Sequence, residues 1–137
     1  MKKIVLNLSI IATLVFSNLA FSISCPSLSD IQSEGIANAQ TITPVWQATY
    51  EISQYNTGFN WAFIIGYFEN VTPSQAITNG NLVLSAMTAP GVLDLSTGRI
   101  ICHFDTNQNF IFALAIRDIF QISSMQVKSY LPNVVTS

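Results

Sequence analysis

The run Phe59–Glu69 constrains this chain most, because no polar side chain interrupts it between Trp61 and Phe68. An extended segment sends successive side chains to opposite faces. Trp61, Phe63, Ile65 and Tyr67 are therefore expected on one face, and Ala62, Ile64, Gly66 and Phe68 on the other. A strand apolar on both faces sits centrally in a sheet or has its outer face covered. The rest of the chain has to supply that cover.

The segment before it, Val45 to Ile52, alternates strictly: Trp46, Ala48, Tyr50 and Ile52 against Gln47, Thr49 and Glu51. This is a half-exposed strand, joined to the apolar one through the turn Tyr55-Asn56-Thr57-Gly58. A helix is expected upstream. Ser29 with Gln32 fits a capping box and Ser27 with Asp30 a weaker one. Leu28, Ile31, Gly35 and Ala39 follow at helical spacing, with Ile36 beside them. That narrow face of small residues suits close packing on a sheet, with Gly35 inside the helix. Thr43-Pro44 ends the segment.

Thr72-Pro73-Ser74-Gln75 opens a second helix, with Thr72 as N-cap and proline at the first position. Ala76, Ile77, Gly80, Val83, Leu84 and Met87 form its apolar face, and Ala89-Pro90-Gly91 stops it. Asp94 to Gly98 reads as a turn-rich connection. Arg99 to Phe104 reads as a third strand, Asp105 to Gln108 as a hairpin turn, and Asn109 to Arg117 as a fourth strand. After Asp118 the period is lost, so a short extra element and a loose tail over residues 132–137 are expected. The expected fold is thus α+β: a two-layer sandwich of a four-stranded antiparallel sheet with two helices on one face, in the order α-β-β-α-β-β.

Residues 1–22 have the layout of a signal peptide. Lys2 and Lys3 precede an apolar stretch from Ile4 to Phe21, and Ala20-Phe21-Ser22 is a small-x-small cleavage site. Asn7, Ser9, Thr13, Ser17 and Asn18 break the stretch below the roughly 20 apolar residues that a retained transmembrane helix needs. Residues 23–131 are then expected as a single periplasmic or secreted domain. Removing Lys2 and Lys3 leaves Arg99, Arg117 and Lys128 as the only lysines and arginines against seven acidic residues. So acidic a domain is unsuited to nucleic acid or to anionic lipid heads. Half of the chain is hydrophobic and only 9% is charged. That composition leaves room for a protein partner, a homodimer or an apolar small molecule.

Cys25 and Cys102 are the two cysteines. In an exported chain they are expected to pair, closing a loop of about 77 residues worth at most about 4–5 kcal/mol. A metal site, a reactive thiol and lipidation of Cys25 are the alternatives. The C-x-x-C spacing of many zinc sites is absent, and Ser22-Ile23-Ser24-Cys25 is a poor lipoprotein box.

No catalytic constellation stands out. His103 is the sole histidine. On an alternating strand it shares a face with Arg99, Ile101 and Asp105, and Asp105 is the expected partner. That pairing serves a surface strand as readily as a general base, and no nucleophile elbow accompanies it. The aromatics suggest more. Trp46 and Tyr50, Trp61 with Phe63 and Tyr67, and Phe110 with Phe112 could line a flat apolar groove; the plainer reading places them in the core.

Certain short runs resemble a known family. They are Cys25-Pro26-Ser27, Ile31-Gln32-Ser33-Glu34-Gly35, Trp46 with the Tyr55-Asn56-Thr57-Gly58 turn, Trp61-Ala62-Phe63, and Gly98-Arg99-Ile100-Ile101-Cys102. Together they make the chain similar to small exported proteins of certain intracellular Gram-negative bacteria. Most members have no known function, and some are called hemin-binding proteins. The resemblance implies an exported, non-enzymatic protein with its cysteine pair oxidised. It implies hemin (heme) only through those members' label, and the iron ligands on offer would be His103, Met87, Met125, the tyrosines or a reduced cysteine. The expectation is a binding protein for an apolar ligand, with His103, Trp46, Tyr50, Trp61 and Phe112 as contacts. The alternative is an interaction or inhibitor module that uses an exposed sheet face or edge strand.

Overall fold

The computed structural model describes residues 23–131. They form three helices and one six-stranded antiparallel sheet. In chain order the elements are α1 (Leu28–Glu34), β1 (Asn38–Thr43), β2 (Trp46–Ser53), β3 (Trp61–Glu69), α2 (Pro73–Ala86), β4 (Val92–Asp94), β5 (Ile101–Phe104), β6 (Phe112–Arg117) and α3 (Ser124–Tyr130). The strand order is β1-β2-β3-β6-β5-β4. The apolar run is thus β3, central as its two apolar faces require, and paired with β6 from Trp61↔Arg117 to Gly66↔Phe112. The expected leader and tail lie outside the described residues.

The α+β class holds, but the expected four strands are six and the two helices are three. β1 replaces the second half of the expected first helix. α1 ends at Gly35, whose φ of 71° is a left-handed C-cap rather than a helix interior, and whose N–H donates to the Ile31 carbonyl at 3.0 Å. The side chain of Asn81 on α2 then takes both backbone groups of Ile36. Its Oδ1 accepts from the Ile36 N–H and its Nδ2 donates to the Ile36 carbonyl, each at 2.9 Å. This clamp imitates a strand partner and sends the chain into β1 along β2. The helix start is also moved: Ser27, not Ser29, is the N-cap, accepting from the Asp30 N–H at 3.1 Å.

The sheet separates two apolar layers. Ile31 of α1 and Ala76, Val83 and Leu84 of α2 cover Trp61, Phe63, Ile65, Cys102 and Phe104. The opposite face carries Ala48, Ile64, Ile101, Leu114 and Ile116, capped by Val127 and Leu131 from α3 and its end. The sandwich therefore has helices on both faces, which is what β3 needed.

One alternation fails inside β3. Gln47 pairs with Phe68 and Ala48 with Gly66, so Tyr67 is an extra, bulged residue. Tyr67 turns to the α3 face, where it meets Trp46 edge to face at 6.1 Å, and Phe68 turns to the α1–α2 face. Both are the reverse of the strict period-two expectation.

Of the alternatives open to the two cysteines, the structure adopts the bridge. Cys25 and Cys102 are joined with their Cα atoms 5.9 Å apart. The segment leading into α1 is thereby tied to β5, near the far edge of the sheet.

Candidate functional site

Three short elements build the site. β4 is an edge strand hydrogen-bonded to β5 in the register Val92↔His103, Leu93↔Cys102, Asp94↔Ile101. On β5, Cys102 and Phe104 face α1 and α2, while Ile101 lies in the α3-side layer. His103 shares the Ile101 side, as alternation requires. α3 is started by a capping box, with Ser123 accepting from the Gln126 N–H and Gln126 accepting from the Ser123 N–H. Its last turn carries Ser129 and Tyr130 toward the outer end of β5.

Between them lies a cleft of about 290 Å³, lined by Asp94, Thr97, Arg99, Ile101, His103, Ser129 and Tyr130. The guanidinium carbon of Arg99 is 5.6 Å from the centre of the Tyr130 ring, a cation–π contact. On the other side of His103 a second hollow of about 260 Å³ includes Asp105, Thr106, Gln108, Phe112 and Leu114.

His103 is held by Asp94, not by Asp105. Its Nε2 lies 2.9 Å from Asp94 Oδ2, and its side chain is 51% exposed. Asp105 follows the end of β5, where its Oδ1 accepts from the Asn107 N–H at 2.8 Å and so closes the turn. Asp94 also accepts from the Ser96 hydroxyl at 2.6 Å and from the Ser96 N–H at 2.9 Å. These bonds, the Ser96 hydroxyl first, hold its carboxyl well below the usual carboxylate range, at about 2. The pair is an ion pair whenever His103 is protonated.

The expected contacts are not gathered in one place. Trp61 is 1% exposed in the α1–α2 layer, where its Nε1 donates to Thr57 Oγ1 at 2.9 Å. The full thickness of the sheet lies between it and the His103 side. Trp46 and Tyr50 are on the correct face, half-buried, but on β2. In the order β2-β3-β6-β5 that is three strand spacings from His103, roughly 14 Å. Phe112, on the neighbouring β6, shares the second hollow with His103. Asp94 and Tyr130 were missed, since both lie in stretches that read as a turn and as an aperiodic end. The Ser123/Gln126 capping box was the available signal for α3.

Among the described residues no group of three or more His, Cys, Asp or Glu side chains could hold a metal ion. No helix among them is long and apolar enough to cross a membrane.

What the fold and site define is a disulfide-closed α+β domain with a small mixed cleft at one end of its sheet. The chain belongs to the DUF4949 family, a domain of unknown function, which matches residues 24–130 and so takes in every element described above. Neither a curated protein nor a solved structure matches the chain.

Proposed function

We propose that this is an exported, non-enzymatic binding protein that takes a small ligand with an apolar body in the cleft between α3 and the β4–β5 hairpin. One observation carries the reading. The cleft is lined by apolar surface of Ile101 and Tyr130 and by a few polar groups, from Asp94, Arg99, His103, Thr97 and Ser129. Ligand sites commonly combine surfaces in this way. Export is supported by the form of residues 1–22 and by the buried bridge at Cys102. The non-enzymatic part is supported at the His103–Asp94 pair. Its neighbouring hydroxyl, Ser96, bonds Asp94 rather than His103, so no nucleophile is bonded to the histidine there.

Hemin is the weaker candidate ligand. A volume of about 290 Å³ is at the small end for ligand sites, so a porphyrin would lie across the mouth, and His103 Nε2 is already engaged by Asp94.

A second reading rests on β4. Val92 is 67% exposed, and Leu93 and Leu95 are exposed beside it, so the edge is apolar and open to strand addition by a protein partner.

The deciding measurement is a ¹H–¹⁵N NMR titration of the oxidised domain with small apolar compounds and, separately, hemin. Saturable shifts confined to Ile101, His103, Ser129 and Tyr130 are the expected result. Shifts confined to β4 on adding a protein extract, with none from any compound, would replace this reading by the second. A one-to-one hemin spectrum lost in His103→Ala would restore hemin.

A further inference from the structure

We infer that the ligand of this cleft carries a carboxylate, and that Arg99 is its anchor. The inference rests on the binding reading above and adds the ligand's charge. The domain is acidic, with seven Asp and Glu residues and, past the leader, only Arg99, Arg117 and Lys128 against them. The cations are not spread evenly. Arg117 lies under the Phe59 ring at 4.3 Å and beside Asp118 at 3.7 Å. Arg99 lines the cleft, and Lys128 is in the same last turn of α3 as Ser129 and Tyr130. Of the three cations Arg99 alone lines the cleft, beside the one histidine and Asp94.

Arg99 also has unused capacity. Among the described residues its guanidinium makes no ion pair; the two that occur are His103–Asp94 and Arg117–Asp118. The acid nearest at hand, Asp94, is occupied by Ser96 and His103. A guanidinium offers a planar fork of donors that fits a carboxylate with two parallel bonds. The Arg99 guanidinium carbon is 5.6 Å from the Tyr130 ring centre, which keeps the fork on the cleft side of α3. Ile101 then receives an apolar body, and the Ser129 and Thr97 hydroxyls are additional donors. A small organic acid, with its carboxylate on Arg99 and its hydrocarbon part toward Ile101, uses these groups, while the Asp94 carboxylate in the same lining is engaged by Ser96 and His103.

The test uses a matched pair of probes, 4-phenylbutyrate and 4-phenylbutanol, followed by ¹H–¹⁵N NMR on the oxidised domain. A charge-assisted hydrogen bond at a partly exposed site corresponds to roughly tenfold in affinity. The acid is therefore expected to bind about tenfold more tightly than the alcohol. Arg99→Gln should remove the acid's advantage over the alcohol, and Arg99→Lys should recover part of it. The spectrum of each variant reports directly that it is folded. Equal affinities for acid and alcohol, or an acid affinity indifferent to Arg99→Gln, would overturn the carboxylate assignment and leave the cleft as a neutral apolar site. Binding of neither probe would remove the cleft reading itself.

Discussion

α2 approaches β2 closely at Gly80, and the substitution Gly80→Ala tests that contact. On helix propensity alone alanine would stabilise α2 by about 1 kcal/mol. The packing opposes this. A Cβ at Gly80 would fall 2.6 Å from Thr49 Oγ1 and 3.3 Å from both Thr49 Cβ and Cγ2. Thr49 is fully buried on β2, and its hydroxyl donates to the Ile65 carbonyl at 3.0 Å. Rotating Thr49 about χ1 to relieve the 2.6 Å contact would take its hydroxyl off the Ile65 carbonyl. Lifting α2 is resisted too, since Gln32 Nε2 donates to the Leu84 and Met87 carbonyls and Asn81 clamps Ile36. Overpacking costs about 1–3 kcal/mol, and weakening the buried hydroxyl bond about 1 more. Less the propensity gain, the net loss is about 2 kcal/mol. Urea unfolding followed by the fluorescence of the buried Trp61 measures it. Gly80→Ala should lower the midpoint at unchanged m-value, and Thr49→Ala in the same chain should recover at least ~1 kcal/mol as a coupling energy. A neutral or stabilising Gly80→Ala, or strict additivity with Thr49→Ala, would refute the contact.

Two further outcomes are expected. Reducing the Cys25–Cys102 bridge, which spans a sequence separation of 77, should cost up to about 4.5 kcal/mol in urea unfolding; a change below ~1 kcal/mol would mean that the closed loop does not restrict the unfolded chain as the entropy argument requires. Tyr55 is buried, and burial first, then the charges of Glu34 and Glu51, pushes its hydroxyl above the ordinary tyrosine range. The folded state therefore favours the protonated phenol, whose contribution is complete below the unfolded value near 10 and declines as pH rises above it. Tyr55→Phe should flatten the alkaline loss of stability measured by urea midpoints above pH 10, and an unchanged slope would exclude Tyr55 as its source.

Much of the architecture was legible locally. The β2 strand, the Thr72-Pro73-Ser74-Gln75 helix start and the doubly apolar β3 each depend on neighbours in sequence and are present over the expected residues, although the polar side of β2 is buried at Gln47 and Thr49 and β3 alternates only as far as the bulge at Tyr67. The missing strands lacked that kind of signal. β1 is Asn-Ala-Gln-Thr-Ile-Thr, a polar edge with one buried residue, Ile42, and it is a strand because Gly35 stops α1 and Asn81 captures Ile36. β4 is three residues long, too short to show a period.

By itself, the sequence determined the α+β class, the central place of β3, the pairing expected of Cys25 with Cys102, and the side of β5 on which His103 projects. These follow from periods of two and 3.6 residues and from composition. Tertiary structure alone decided which residues stand beside His103. The bulge at Tyr67 reverses two aromatic side chains, strand order puts Trp46 and Tyr50 three strands away, and the sheet itself separates Trp61. Asp94, Arg99 and Tyr130 reach the cleft from a hairpin and a helix that are distant in the chain, brought together because α3 has to cover the second apolar face. A site made between elements depends on cross-strand register and layer packing, and neither is written in the spacing of any single segment.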